Sequence, residues 1–185
     1  VDLPTGRMKT REGTVVDADD LIDEMIATAE TRTKELGKIE DFGEQAAREL
    51  YRAVGLGALK YYLLKVEPRK RMLFNPEESV DFEGHTGSFV QYTHARASSV
   101  LRKAAALDVP TDVAESDLIN WLTQYPARVQ EAGVGYAPSV VAQYVYDLAK
   151  VFNRFFAEVS ILAAPDPASR ALRVMVEELR AEAPP

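Results

Sequence analysis

Residues 141–159 read VAQYVYDLAKVFNRFFAEV, and their spacing decides the fold class. Val141, Tyr144, Val145, Leu148, Val151, Phe152, Phe155 and Val159 recur three and four apart, which lines one side of an α-helix with apolar groups. A stripe of this width has to be covered by other helices. Working outward, Phe89, Thr93, Ala97, Val100, Ala104 and Leu107 form a second stripe with the same period. A shorter helix is expected from Glu115 to Gln124, and Pro126 suits the first turn of another because its φ is already fixed. A last helix is expected over Pro167–Arg180. Everything from Phe89 onward reads as helical, so the fold expected is mainly α, a helical bundle.

The first half is more mixed. Residues 1–16 carry Pro4, Gly6 and Gly13 among polar and basic groups, which predicts a loop with a short strand at Thr14–Val16. Asp17 then suits the N-cap of a helix, with Asp19, Asp20, Asp23 and Glu24 near the positive end of its dipole. Leu21, Met25, Ala29, Arg32 and Leu36 follow at helical spacing, and Gly37 suits a left-handed C-cap. A second helix is expected over Asp41–Val54. Gly55-Leu56-Gly57 reads as an interruption, Ala58–Val66 as a buried turn or two, and Pro68 as a stop. Residues 69–88 read as a connector with short extended pieces. Two units are therefore expected, residues 1–72 and residues 73–185.

Composition excludes several classes of protein. Hydrophobic residues at 46% and charged residues at 28% are ordinary for a soluble globular chain. No apolar run approaches the ~20 residues that a bilayer crossing needs, so no membrane partner is expected. Cysteine is absent, which removes disulfides and thiol catalysis. The start, Val1-Asp2-Leu3-Pro4, lacks Met and any signal-peptide character, as the start of an excised or processed piece would. The net charge of −7 argues mildly against phosphate binding. Its distribution argues less clearly, since cations cluster at Arg7, Lys9 and Arg11, at Lys65, Arg69, Lys70 and Arg71, and at Arg96, Arg102 and Lys103.

Three groups could carry chemistry. Gly6-Arg7-Met8-Lys9-Thr10-Arg11-Glu12-Gly13 alternates cations between glycines, as a loop closing over polyphosphate would, although such a stretch is more often plain solvated loop. Tyr92, His94 and Arg96 fall within about one helical turn, where an aromatic ring could stack a base and a cation could hold a phosphate or a base edge. The commoner meaning of that pattern is a ring at a helix seam beside solvated cations. Phe89 and Phe156 read as core by periodicity. His85 and His94 lack the converging ligands of a metal site, and capping accounts for Asp17, Asp19 and Asp20 without magnesium.

The residues also carry a family likeness. Leu3-Pro4-Thr5-Gly6-Arg7-Met8-Lys9-Thr10-Arg11-Glu12-Gly13-Thr14-Val15-Val16 resembles the KMSKS loop of class I synthetases in its arginyl-tRNA synthetase form. Gly55-Leu56-Gly57-Ala58-Leu59-Lys60-Tyr61-Tyr62-Leu63-Leu64 resembles a second block of that family. A third runs from Phe74-Asn75-Pro76 through Asp81-Phe82-Glu83-Gly84 and Thr86-Gly87 to Gln91-Tyr92-Thr93-His94-Ala95-Arg96. Asp147–Phe156 is similar, more loosely, to the family's DALR-type anticodon-binding domain.

The resemblance implies the C-terminal portion of an arginine–tRNA ligase. Residues 1–72 would then end the catalytic core, and residues 73–185 would form the helical anticodon-binding domain, cut short of the family's C-terminal tail. The parent enzyme would activate arginine with ATP and magnesium and pass it to tRNA(Arg), acting as a cytoplasmic monomer. Arg7, Met8, Lys9, Thr10 and Arg11 match the loop that faces the ATP phosphates, with Thr10 where the general motif has its second lysine. Phe89, Tyr92, Arg96 and Phe156 match positions that contact the anticodon. The family usually has a proline and an arginine where this chain has Ser88 and Ser98. The HIGH motif and the arginine pocket lie in an N-terminal catalytic part that is missing here. The chain alone is expected to hold no cofactor tightly and to be inactive. Two other readings stay open, a stand-alone non-catalytic tRNA-binding module and a helical protein-interaction domain that has lost RNA binding.

One prediction belongs to the loop. In the full-length enzyme that the resemblance implies, Lys9→Ala slows adenylate formation by about 10²–10³, the scale of one lost transition-state contact. Arginine affinity stays near wild type, because the loop faces phosphate. Pre-steady-state adenylation at the wild-type rate would refute the assignment.

Overall fold

A computed structural model of the chain describes residues 2–3, 6–7, 17–37, 42–105 and 116–158. The chain divides into two compact units, Val1–Phe89 with Ala137–Ala142, and Val90–Tyr136 with Gln143–Pro185. It is a mainly helical protein. A two-residue ladder, β1 (Asp2–Leu3) and β2 (Gly6–Arg7), pairs antiparallel with Asp2 opposite Arg7 and Leu3 opposite Gly6. The helices are α1 (Ala18–Glu35), α2 (Glu44–Leu64), α3 (Pro76–Ser79), α4 (Gly87–Ala105), α5 (Ser116–Thr123), α6 (Tyr125–Gly135) and α7 (Ser139–Glu158). The strand expected at Thr14–Val16 and the helix expected over Pro167–Arg180 lie outside the described residues.

In the first unit, α1 begins where the aspartates require it. Asp17 Oδ1 accepts from the Asp19 N–H at 3.0 Å, which satisfies one of the helix's free donors. Gly37 follows the helix in the left-handed region, with φ of +65°. The buried face runs Met25, Ala29, Thr33, rather than turning to Arg32 and Leu36 as expected. Steps of four set this row. Thr33 tolerates burial because its hydroxyl donates to the Ala29 carbonyl at 2.6 Å, whereas Leu36 stays half exposed.

Helix α2 corrects the sequence reading. Gly55 and Gly57 do not break it, and the helix is continuous from Glu44 to Leu64. A Cβ at Gly55 would lie 2.8 Å from the Met25 carbonyl oxygen and 3.0 Å from the Ile26 backbone. The glycine is there because α1 passes at backbone contact. Gly87, at the start of α4, is under the same constraint: a Cβ there would meet the Gly57 carbonyl oxygen at 2.7 Å and Tyr61 Cβ at 2.9 Å. Close packing of this kind outweighs the roughly 1 kcal/mol that a glycine costs a helix.

The segment after Pro68 is also more than a connector. Phe74 and Val80 are fully buried with Met25, Ala29, Val54, Ala58 and Leu59. Between them, Asn75 caps the short helix α3, its side chain accepting from the Glu77 N–H at 3.1 Å, with Pro76 in the first turn. Tyr62 meets Phe74 edge to face at 5.2 Å and donates its hydroxyl to the Leu73 carbonyl at 2.8 Å.

The second unit follows the stripes. Ala97, Val100, Leu118, Tyr144, Leu148, Phe152 and Phe155 form its core. Tyr144 satisfies its hydroxyl on the Trp121 carbonyl at 2.7 Å, and burial pushes that phenol above its ordinary pKa. Pro126 lies in the first turn of α6 as expected.

The two kinds of glycine give opposite predictions. Gly55→Ala destabilises the chain by about 1–3 kcal/mol, since backbone has to move to admit the methyl group. Gly133→Ala, in α6 with nothing within 4 Å of the added carbon, stabilises it by up to about 1 kcal/mol. Urea midpoints that shift the same way in both variants would refute this account of Gly55.

Candidate nucleic-acid interface

Helix α4 opens on a built N-terminus. Thr86 Oγ1 accepts from the Phe89 N–H at 3.1 Å and donates to the Asp81 carbonyl at 2.5 Å, which ties the first turn to the preceding loop. Phe89 is half-buried and belongs to the first unit. Tyr92 and Arg96 follow one and two turns later, in the second unit. They do not stand side by side as a free ring and a free cation.

Arg96 is engaged on several sides. Its Nη1 donates to Asn153 Oδ1 at 2.8 Å and its Nη2 to the Tyr92 hydroxyl at 3.0 Å. Its guanidinium carbon lies 4.9 Å from the Tyr92 ring centre and 4.7 Å from that of Phe156. Each such cation–ring contact is worth roughly 0.5–2 kcal/mol, rising as water is excluded. Asn153 Nδ2 in turn donates to Thr93 Oγ1 at 2.8 Å, and Thr93 is fully buried. Phe156 is half-buried and its ring lies 6.1 Å from that of core Phe152. Tyr92 is 38% exposed, so part of its ring faces solvent. The result is an aromatic surface of Tyr92 and Phe156 joined by one guanidinium, chemistry suited to stacking an unpaired base.

Tyr92, Arg96 and Phe156 are thus brought together. His94 is exposed and has no part in the hydrogen bonds described. Asn153 was not singled out by sequence reasoning, although a signal was present: Thr93 is a polar residue inside an apolar stripe, and a buried hydroxyl calls for a partner. Of the loop residues, Arg7 has its backbone in β2, and Met8, Lys9, Thr10 and Arg11 lie outside the described residues.

The cations at 65–71 are partly engaged as well. Lys65 Nζ donates to the His85 carbonyl at 2.8 Å and lies 4.1 Å from the Tyr62 ring centre. Burial pushes its ammonium below the ordinary lysine range, and Glu78 partly offsets that. Lys70 pairs with Glu67 at 2.9 Å. Among the described residues no three His, Asp or Glu side chains converge as a metal site would require. No described helix is long and apolar enough to cross a membrane.

Known proteins resemble this chain in sequence and in fold. Residues 90–179 match the DALR anticodon binding domain. Over 98% of its length the chain is 48% identical to an arginine–tRNA ligase of Amoebophilus asiaticus, and over 96% it is 48% identical to that of Flavobacterium psychrophilum. It spans 32% and 30% of those relatives, about a third of their length. Among solved structures, Thermus thermophilus arginyl-tRNA synthetase superposes with a TM-score of 0.81 at 31% identity, over 96% of this chain and 31% of that one. Arginyl-tRNA synthetase from Plasmodium falciparum shares the fold, with a TM-score of 0.74 at 17% identity, over 89% of this chain and 30% of that one. By sequence and by fold, the chain matches the C-terminal part of the arginine–tRNA ligases, DALR anticodon binding domain included.

Proposed function

We propose that the chain supplies anticodon binding and an ATP-facing loop to an arginine–tRNA ligase. The parent protein activates arginine with ATP and magnesium and transfers it to tRNA(Arg). It works as a monomer in the cytoplasm, where its tRNA substrate is used. The observation that carries this reading is the partly exposed Tyr92 ring, held beside Arg96 and Phe156 within the stretch that matches the DALR domain. Phe89, Tyr92, Arg96 and Phe156 are assigned to the anticodon. The cations Arg7, Lys9 and Arg11 are the donor set a polyphosphate calls for, with Met8 and Thr10 between them. ATP supplies the adenylyl group that the arginine carboxylate takes up as pyrophosphate leaves, and positioning with charge stabilisation is what this loop adds.

Two measurements test the assignment. Tyr92→Ala weakens binding of a tRNA(Arg) transcript by roughly 1–3 kcal/mol, the worth of one base stacked on an aromatic ring. Unchanged affinity would overturn it. The 185-residue chain by itself shows no arginine-dependent ATP–pyrophosphate exchange, since one loop cannot orient two substrates. Exchange above background would show that this segment holds a whole active site.

A further inference from the structure

The Arg96 guanidinium donates to Asn153 and to the Tyr92 hydroxyl and lies against the Tyr92 and Phe156 rings. A cation reaching for phosphate would be turned to solvent, and this one is half-buried, with both terminal nitrogens donating to neighbours. What fixes it is Asn153 on α7. Its amide bridges the two helices, accepting from Arg96 through Oδ1 and donating to buried Thr93 through Nδ2. Arg96, which can only donate, sets which way the amide points, and the Thr93 hydroxyl anchors the amide by accepting from Nδ2. If the amide turned over, two N–H donors would face Arg96 and the oxygen would face Thr93. The Arg96 contact would then be lost.

We propose that Asn153 is a positioning residue for tRNA binding: with Thr93 it holds Arg96 against the Tyr92 and Phe156 rings, so that the stacking surface exists before RNA arrives. This rests on the anticodon reading above and adds a residue to it. Asn153 touches no nucleotide in this scheme and acts only through Arg96. Presetting the surface raises affinity because the rotamers of Tyr92 and Arg96 need not be ordered on binding. Arg96 then contributes geometry rather than counterion release.

The test is a double-mutant cycle on the affinity of the 185-residue chain for an unmodified tRNA(Arg) transcript, read at several salt concentrations. Asn153→Ala weakens binding roughly tenfold, the scale of losing a hydrogen bond to a charged group. Arg96→Ala does at least as much. The double variant binds no more weakly than Arg96→Ala alone, because Asn153 has nothing left to position. The slope of log affinity against log salt is unchanged in all three. Additive losses in the double variant would overturn the proposal, since a general structural role adds to the loss of Arg96. So would a slope falling by about one in Arg96→Ala, the mark of a released phosphate contact. Thr93→Val keeps the volume and removes the hydroxyl that anchors the amide. It gives the same pattern in smaller amplitude and serves if Asn153→Ala does not fold. If Tyr92→Ala weakens binding while Asn153→Ala does not, positioning fails and the anticodon reading stands. If neither variant matters, or the wild-type chain binds no tRNA, both fail.

Discussion

A buried hydroxyl has to be paired, and in the second unit that requirement is met by the same amide that holds Arg96 beside the Tyr92 and Phe156 rings. Thr93 sits fully inside an otherwise apolar stripe of α4. Leaving its hydroxyl without a partner would cost about 1–3 kcal/mol. Asn153 reaches it from α7, and the other end of the same amide takes up Arg96. Arg96 joins the Tyr92 hydroxyl and lies over both rings. An apolar residue at 93 would pack as well but would leave the chain of contacts without its anchor.

This explains what could and could not be read from the sequence. The stripes of α4 and α7 were legible because apolar side chains at spacings of three and four have few other uses, and Val100, Leu148, Phe152 and Phe155 are buried as that spacing implies. The Asp17 cap was legible because its hydrogen bond is local, closing within two residues. The proximity of Tyr92 and Arg96 followed from their separation along one helix. Asn153 is 60 residues from Thr93 and 57 from Arg96, and no local rule spans such a distance. The likeness to arginyl-tRNA synthetases supplied the pairing of Phe156 with the first helix, which periodicity alone had assigned to the core.

Glycine misled for a related reason. Read locally, Gly55 and Gly57 weaken a helix by about 1 kcal/mol each and suggest a break. Read against their neighbours, they are the positions where α1 and the start of α4 reach the α2 backbone. Local preference is a small term, and closing a helix–helix contact to backbone distance gathers dispersion from every residue along the seam. Phe74 makes the same point from the opposite side. A lone aromatic beside Asn75-Pro76 in a polar stretch looks like loop, yet its burial against Met25 and Val80 ties that stretch into the core.

On the proposed anticodon reading, an acidic chain has to draw RNA affinity from something other than surplus cations. With a net charge of −7, its long-range field repels a tRNA backbone. Several of the cations that might offset this are paired among the described residues: Lys34 with Glu30, Arg48 with Glu44, Lys70 with Glu67, and Arg128 with Glu131. Arg96, the cation nearest the aromatic surface, is bound to Asn153 and Tyr92. An anticodon loop offers unpaired bases, whose faces carry no net charge and whose stacking is worth roughly 1–3 kcal/mol apiece. An aromatic surface of this kind suits unpaired bases, such as those of an anticodon loop, where charge is least involved.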